Sequence, residues 1–125
     1  MPVLVDSSIW IDYFRSGNQS SKLDTLIDEN LIATNEIILT ELIPFLKIQK
    51  QLKVIRLLQE IPLLALNINW QKIIDLQVNC LKKGISGIGI PDLIIAQNAQ
   101  QNNAHIYTLD KHFHAINKVL HIKLL

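Results

Sequence analysis

The chain has 125 residues with 12 Lys and Arg against 11 Asp and Glu, a net charge of +1 that excludes a strongly basic nucleic-acid coat. Hydrophobic residues at 49% and charged residues at 18% exclude a disordered chain and suit one packed domain, read here as residues 1–125. Cys80 is the only cysteine, so no internal disulfide is possible; with no signal-peptide pattern and no apolar run near the ~20 residues a membrane helix needs, a soluble cytoplasmic protein is expected.

In chain order, Val3-Leu4-Val5 is a short apolar strand. Ser7 or Ser8 starts a helix carrying Ile9, Trp10, Tyr13 and Phe14, and Gly17 ends it. Ser20 or Ser21 opens a second helix, and Leu31-Ile32-Ala33 is a second strand. A helix from Glu36 to about Lys47 should be kinked or interrupted at Pro44, which removes a backbone donor, and another runs from Lys50 to Glu60. Leu63 to Leu66 reads as a third strand. A long helix then runs from Asn67 or Asn69 to a stop at Gly84. After a glycine-containing loop, Asp92 caps the helix that carries Leu93, Ile94 and Ala96, with Pro91 setting its start. His105 to Thr108 is a fourth strand, and Val119 to Leu124 a possible fifth. Short apolar strands between amphipathic helices predict an α/β domain with a mainly parallel sheet of four to five strands. Such sheets bind ligands at the carboxyl ends of their strands.

Four acids fall where they can reach that rim. Asp6 follows the first strand, Asp110 follows the fourth, Asp92 begins a helix, and Glu41 lies in the helix after the second strand. Each alone has a plain structural explanation, as turn residue, cap or solvated helix acid. Together they would repel one another unless a cation joins them. Oxygen ligands without cysteine suit Mg²⁺ or Mn²⁺, which can activate a water and offset charge on a phosphodiester. A serine at position 92 would cap its helix but bring no negative charge.

The segments "VLVDSSIWIDYF", "TNEIILTEL", "GIPDLIIAQNA" and "IYTLDKHF" resemble, in order and spacing, the PIN-domain ribonucleases, most closely VapC-type toxins of toxin–antitoxin pairs. The resemblance covers essentially the whole chain. It implies a three-layer α/β/α sandwich, an RNA substrate, a Mg²⁺ or Mn²⁺ cofactor, a homodimer and an antitoxin partner. It also implies that Asp6, Glu41, Asp92 and Asp110 form the acidic site, with Asp6 and Asp92 the direct ligands and Ser7 and Thr108 positioning them. Many relatives carry a further acid where this chain has His112, which weakens a fixed second metal site.

Lys47, Lys50, Lys53 and Arg56 concentrate charge that could meet RNA phosphates, and Lys111 adjoins Asp110. Glu36 is read as a first-turn acid favoured by the helix dipole. His112 and His114 lack the spacing and the cysteines of a structural zinc site. The apolar residues around Trp10, Phe14 and Phe45 are candidates for covering a homodimer or an antitoxin helix. Two rival readings are aspartyl-phosphate transfer and a non-catalytic PIN-like binding module. The dehalogenase form of the first wants an acid where Ser8 stands, and the receiver form wants an acidic pair at the end of the first strand.

Overall fold

The computed structural model describes residues 2–125. Its sheet has four strands, β1 (Val3–Val5), β2 (Ile32–Ala33), β3 (His105–Tyr107) and β4 (Lys123–Leu124), in the order β2-β1-β3-β4. Every pair is parallel. Seven helices connect them among the described residues: α1 (Ser7–Arg15), α2 (Leu23–Asp28), α3 (Glu36–Ile48), α4 (Leu52–Gln59), α5 (Trp70–Lys82), α6 (Ile90–Gln101) and α7 (Lys111–Ile116).

Alternation along the strands builds the layers. Val3, Val5 and Tyr107 enter one apolar cluster with Ile9, Trp10, Leu23, Leu42, Leu46, Ile55 and Leu58 of α1 to α4. Leu4 and Ile106 point the other way, into a cluster with residues of α5, α6 and α7. Successive side chains of a strand face opposite sides, so a three-residue strand can serve both cores. This is the expected α/β/α arrangement. Its crossover lies at β1, which the chain leaves toward β2 on one side and rejoins at β3 on the other.

Four expectations are corrected. Leu63–Leu66 is not a strand; only a single bridge joins Leu63 to Thr34. Beyond it the backbone turns to side chains of α6: Asn98 Nδ2 donates to the carbonyls of Leu64 and Ala65, and Gln101 Nε2 to that of Asn67. The carboxamide of Gln97 bonds both the amide and the carbonyl of Asn69. A segment whose carbonyls are taken by amide side chains gains nothing from a ladder. Second, α3 is not interrupted at Pro44, and its N-terminus is capped by Asn35, whose Oδ1 accepts from Ile38 N at 2.9 Å. Third, α6 begins at Ile90 with Gly89 as its N-cap, not Asp92, because proline in the first turn lacks only a donor that would have no helical partner. Fourth, α7 was not foreseen; Asp110 opens it by accepting the amide of His112.

Candidate active site

Asp6 follows β1, and its amide donates to Tyr107 O at 2.9 Å, carrying the β1–β3 ladder one residue beyond the strands. The residue caps α1 by position, yet its side chain makes no capping bond. The buried carboxylate instead takes two hydroxyls on Oδ2, Ser8 Oγ and Thr108 Oγ1, each at 2.8 Å. Those hydroxyls are themselves held by the loop after β3. Ser8 Oγ accepts from Leu109 N at 3.0 Å and Thr108 Oγ1 from Asp110 N at 2.9 Å. Amide polarity is thus relayed through two hydroxyls to one carboxylate oxygen. Among the described residues Oδ1 accepts no such bond. The hydroxyl bonded to Asp6 is that of Ser8 rather than Ser7, which is the first residue of α1. The signal for it lay in the sequence, a second hydroxyl two residues beyond Asp6, but helical geometry was needed to choose between them.

Asp92 is the third residue of α6, where the helix dipole favours a carboxylate. Its Oδ2 lies 3.1 Å from His112 Nδ1, and Asp110 Oδ1 lies 3.5 Å from the same nitrogen. One ligand atom from each of Asp92, Asp110 and His112 falls within 4.8 Å of the others, a spacing that could hold a metal ion. In the sequence His112 stands out as a departure from the family pattern and as a neighbour of His114, and nothing there places it between two acids.

Electrostatics tie the fourth acid in. The Glu41 carboxyl is raised above the usual range by partial desolvation, then by the charges of Asp6, Asp92 and Asp110. Asp92 is raised by desolvation, an effect opposed by its bond to His112 and reinforced by Asp110 and Asp6. Side chains from β1, α3, α6 and the β3–α7 junction therefore share one field. Glu36, in the exposed first turn of α3, lies one and a half turns from Glu41. Lys111 starts α7 beside Asp110, whereas Lys47 and Lys50 lie at the far end of α3, and Lys53 and Arg56 on α4.

Crowded carboxylates of raised pKa destabilise the fold when ionised. The folded state binds protons more tightly than the unfolded chain, so the penalty is absent below the ordinary values of 3.8 and 4.5 and complete above the raised ones. Metal-free protein is therefore expected to lose stability as pH rises through that window. Glu41→Gln should shrink the loss and raise the melting temperature at pH 7. Unchanged thermal melts for Glu41→Gln across the same pH range would contradict the shared field. The donor set fits a hard divalent cation, since such an ion would relieve this repulsion and suits carboxylate oxygens.

A buried carboxylate with fixed hydroxyl partners at the carboxyl edge of a parallel sheet, with three further acids in the same field, defines an α/β domain with an acidic site. The PIN domain signature matches residues 3–119, and the chain belongs to the PIN domain family. Its fold is that of VapC-type toxins. The structure of VapBC2 from Rickettsia felis, bound to a DNA fragment from its promoter, matches with a TM-score of 0.77 and 23% identity, covering 100% of this chain and 98% of that one. VapBC-1 from nontypeable Haemophilus influenzae matches at 0.71 and 25% identity, covering 100% and 97%. VapC20 from Mycobacterium tuberculosis, described as a Sarcin-Ricin loop cleaving toxin, matches at 0.63 and 14%, covering 97% and 98%. Among curated proteins, none matches in sequence.

Proposed function

We propose that the protein is a metal-dependent endoribonuclease, the toxin of a toxin–antitoxin pair. The observation that carries this reading is the cluster of Asp92, Asp110 and His112 within 4.8 Å of one another, linked through Thr108 to buried Asp6, with Glu41 in the same field. Family membership and the RNA-cleaving activity stated for VapC20 support the choice of RNA. Asp6 and Asp92 would hold a divalent cation, with Glu41 and Asp110 beside them, and the bound ion would supply water activation and charge neutralisation at a phosphodiester.

The chain's own residues do the rest. Ser8 and Thr108 fix the Asp6 carboxylate, so its free oxygen need not reorganise when charge arrives. Burial of Asp6 lowers the local dielectric and strengthens each interaction made there. Glu41, kept beside the cation rather than bound to it, is the carboxylate available to take a proton displaced during hydrolysis. Lys111 brings an exposed ammonium to the rim for an RNA phosphate, and the charges on α3 and α4 extend that contact along a longer strand. Wild type incubated with RNA and Mn²⁺ or Mg²⁺ should cleave it, and EDTA should stop the reaction. Asp92→Asn should cut the rate by about 10²-fold or more, the scale of losing one charged group that stabilises the transition state. Cleavage that persists in EDTA, or an Asp92→Asn variant as fast as wild type, would contradict the proposal.

Two apolar surfaces support the partners. Trp10, Tyr13, Phe14, Ile32, Val54 and Leu57 line a groove of about 330 Å³ beside α1 and α4, which we assign to an antitoxin helix. On α5, exposed Trp70, Ile74, Val78 and Leu81, continued by Ile90, form a second patch suited to a homodimer. Leu81→Glu is expected to give a monomer by sedimentation, and an unaltered mass would assign the α5 face elsewhere. The aspartyl-phosphate reading gains no support, because both hydroxyls beside Asp6 are engaged in orienting it.

A further inference from the structure

We infer that His112 supplies a nitrogen ligand to the divalent cation and biases this site toward Mn²⁺ over Mg²⁺. The inference rests on the proposed metal site and specifies its selectivity.

Two ligands on adjacent vertices of an octahedron with bonds of about 2.1 Å stand roughly 3 Å apart. His112 Nδ1 is 3.1 Å from Asp92 Oδ2 and 3.5 Å from Asp110 Oδ1, close to that edge length on both sides. The imidazole is not a wandering surface group. Its residue lies in the first turn of α7, and its backbone amide is bound to Asp110 Oδ1 at 2.9 Å. The same carboxylate that would share the cation with the ring therefore also fixes the ring's backbone.

Chemistry gives the consequence. An acid at this position would complete an all-oxygen set that suits Mg²⁺, which demands near-ideal geometry and gives up its waters reluctantly. A nitrogen donor shifts preference toward transition ions, and with carboxylates around it the octahedral choice is Mn²⁺. In the metal-free protein the ring nitrogen and Asp92 Oδ2 lie within hydrogen-bond distance, and the cation would sit between them.

The test uses metal-stripped, full-length protein with Mn²⁺ alone as the probe. Pulsed electron paramagnetic resonance of the bound ion should show ¹⁴N coupling from an imidazole in wild type and none in His112→Asp. Calorimetric titrations with Mn²⁺ and Mg²⁺ should show that His112→Asp lowers the Mn²⁺ preference by about tenfold, the lower end of effects from altering groups around a metal. Thermal melts establish that the exposed substitution leaves the protein folded, and the wild-type spectrum stands without any variant. Absent ¹⁴N coupling in wild type, or a metal preference identical in His112→Asp, would overturn the inference. Bound Mn²⁺ without nitrogen coupling, together with EDTA-sensitive RNA cleavage, would overturn it while sparing the nuclease. Nitrogen-coupled Mn²⁺ with no cleavage of RNA would do the reverse.

Discussion

Asp6→Asn is expected to lower RNA cleavage by about 10³-fold, equivalent to about 4 kcal/mol of transition-state stabilisation. The substitution is nearly isosteric, and its amide oxygen can still accept the hydroxyls of Ser8 and Thr108 that the carboxylate takes at 2.8 Å. Shape and position therefore survive, and the charge alone is removed. That charge matters most here because the side chain is buried, where a counter-charge is least screened. The fold should tolerate the change, since removing one of four crowded acids relieves repulsion. A melting temperature equal to or above that of wild type, combined with the loss of activity, separates a chemical role from a structural one. If Asp6→Asn kept more than about a tenth of wild-type cleavage, the carboxylate would not be the centre of the site.

Asn98→Leu should be the most destabilising substitution outside the apolar core, costing about 3 kcal/mol and lowering the melting temperature by about 10 °C. Asn98 is buried, accepts from Asn35 Nδ2 at 2.9 Å and donates to Ala65 O at 3.1 Å and Leu64 O at 3.4 Å. Leucine fills nearly the same volume, so little cavity is made. What is lost is satisfaction of one buried donor and two carbonyls, each costing about 1–3 kcal/mol when orphaned. The damage extends toward the site, because Asn35 also caps α3, the helix that carries Glu41. A loss below about 1 kcal/mol in urea melts would mean that water replaces these bonds readily.

How much of this could be read from the residues alone follows from the range of each interaction. Strand β1 and helix α5 were legible because Val3-Leu4-Val5 and the apolar periodicity from Trp70 onward act over a few neighbouring positions. The Leu63–Leu66 segment was not, since its apolar run signals burial without saying who takes its carbonyls. Asn98 and Gln101 answer that from more than thirty positions away. The start of α6 was misplaced by three residues because a helix can begin ahead of a proline as easily as after it. In the site, the four acids were visible through their relation to strand ends. Ser8 in place of Ser7, and the insertion of His112 between Asp92 and Asp110, depend on side-chain directions that only the assembled α1 and α7 define.

The most direct trial of the account is calorimetric titration of Mn²⁺ into metal-stripped wild type and into the double variant Asp6→Asn/Asp92→Asn, both verified as folded. Saturable binding by wild type that vanishes from the double variant is the predicted result. Binding of equal strength in both proteins would contradict the claim that these acids share one cation.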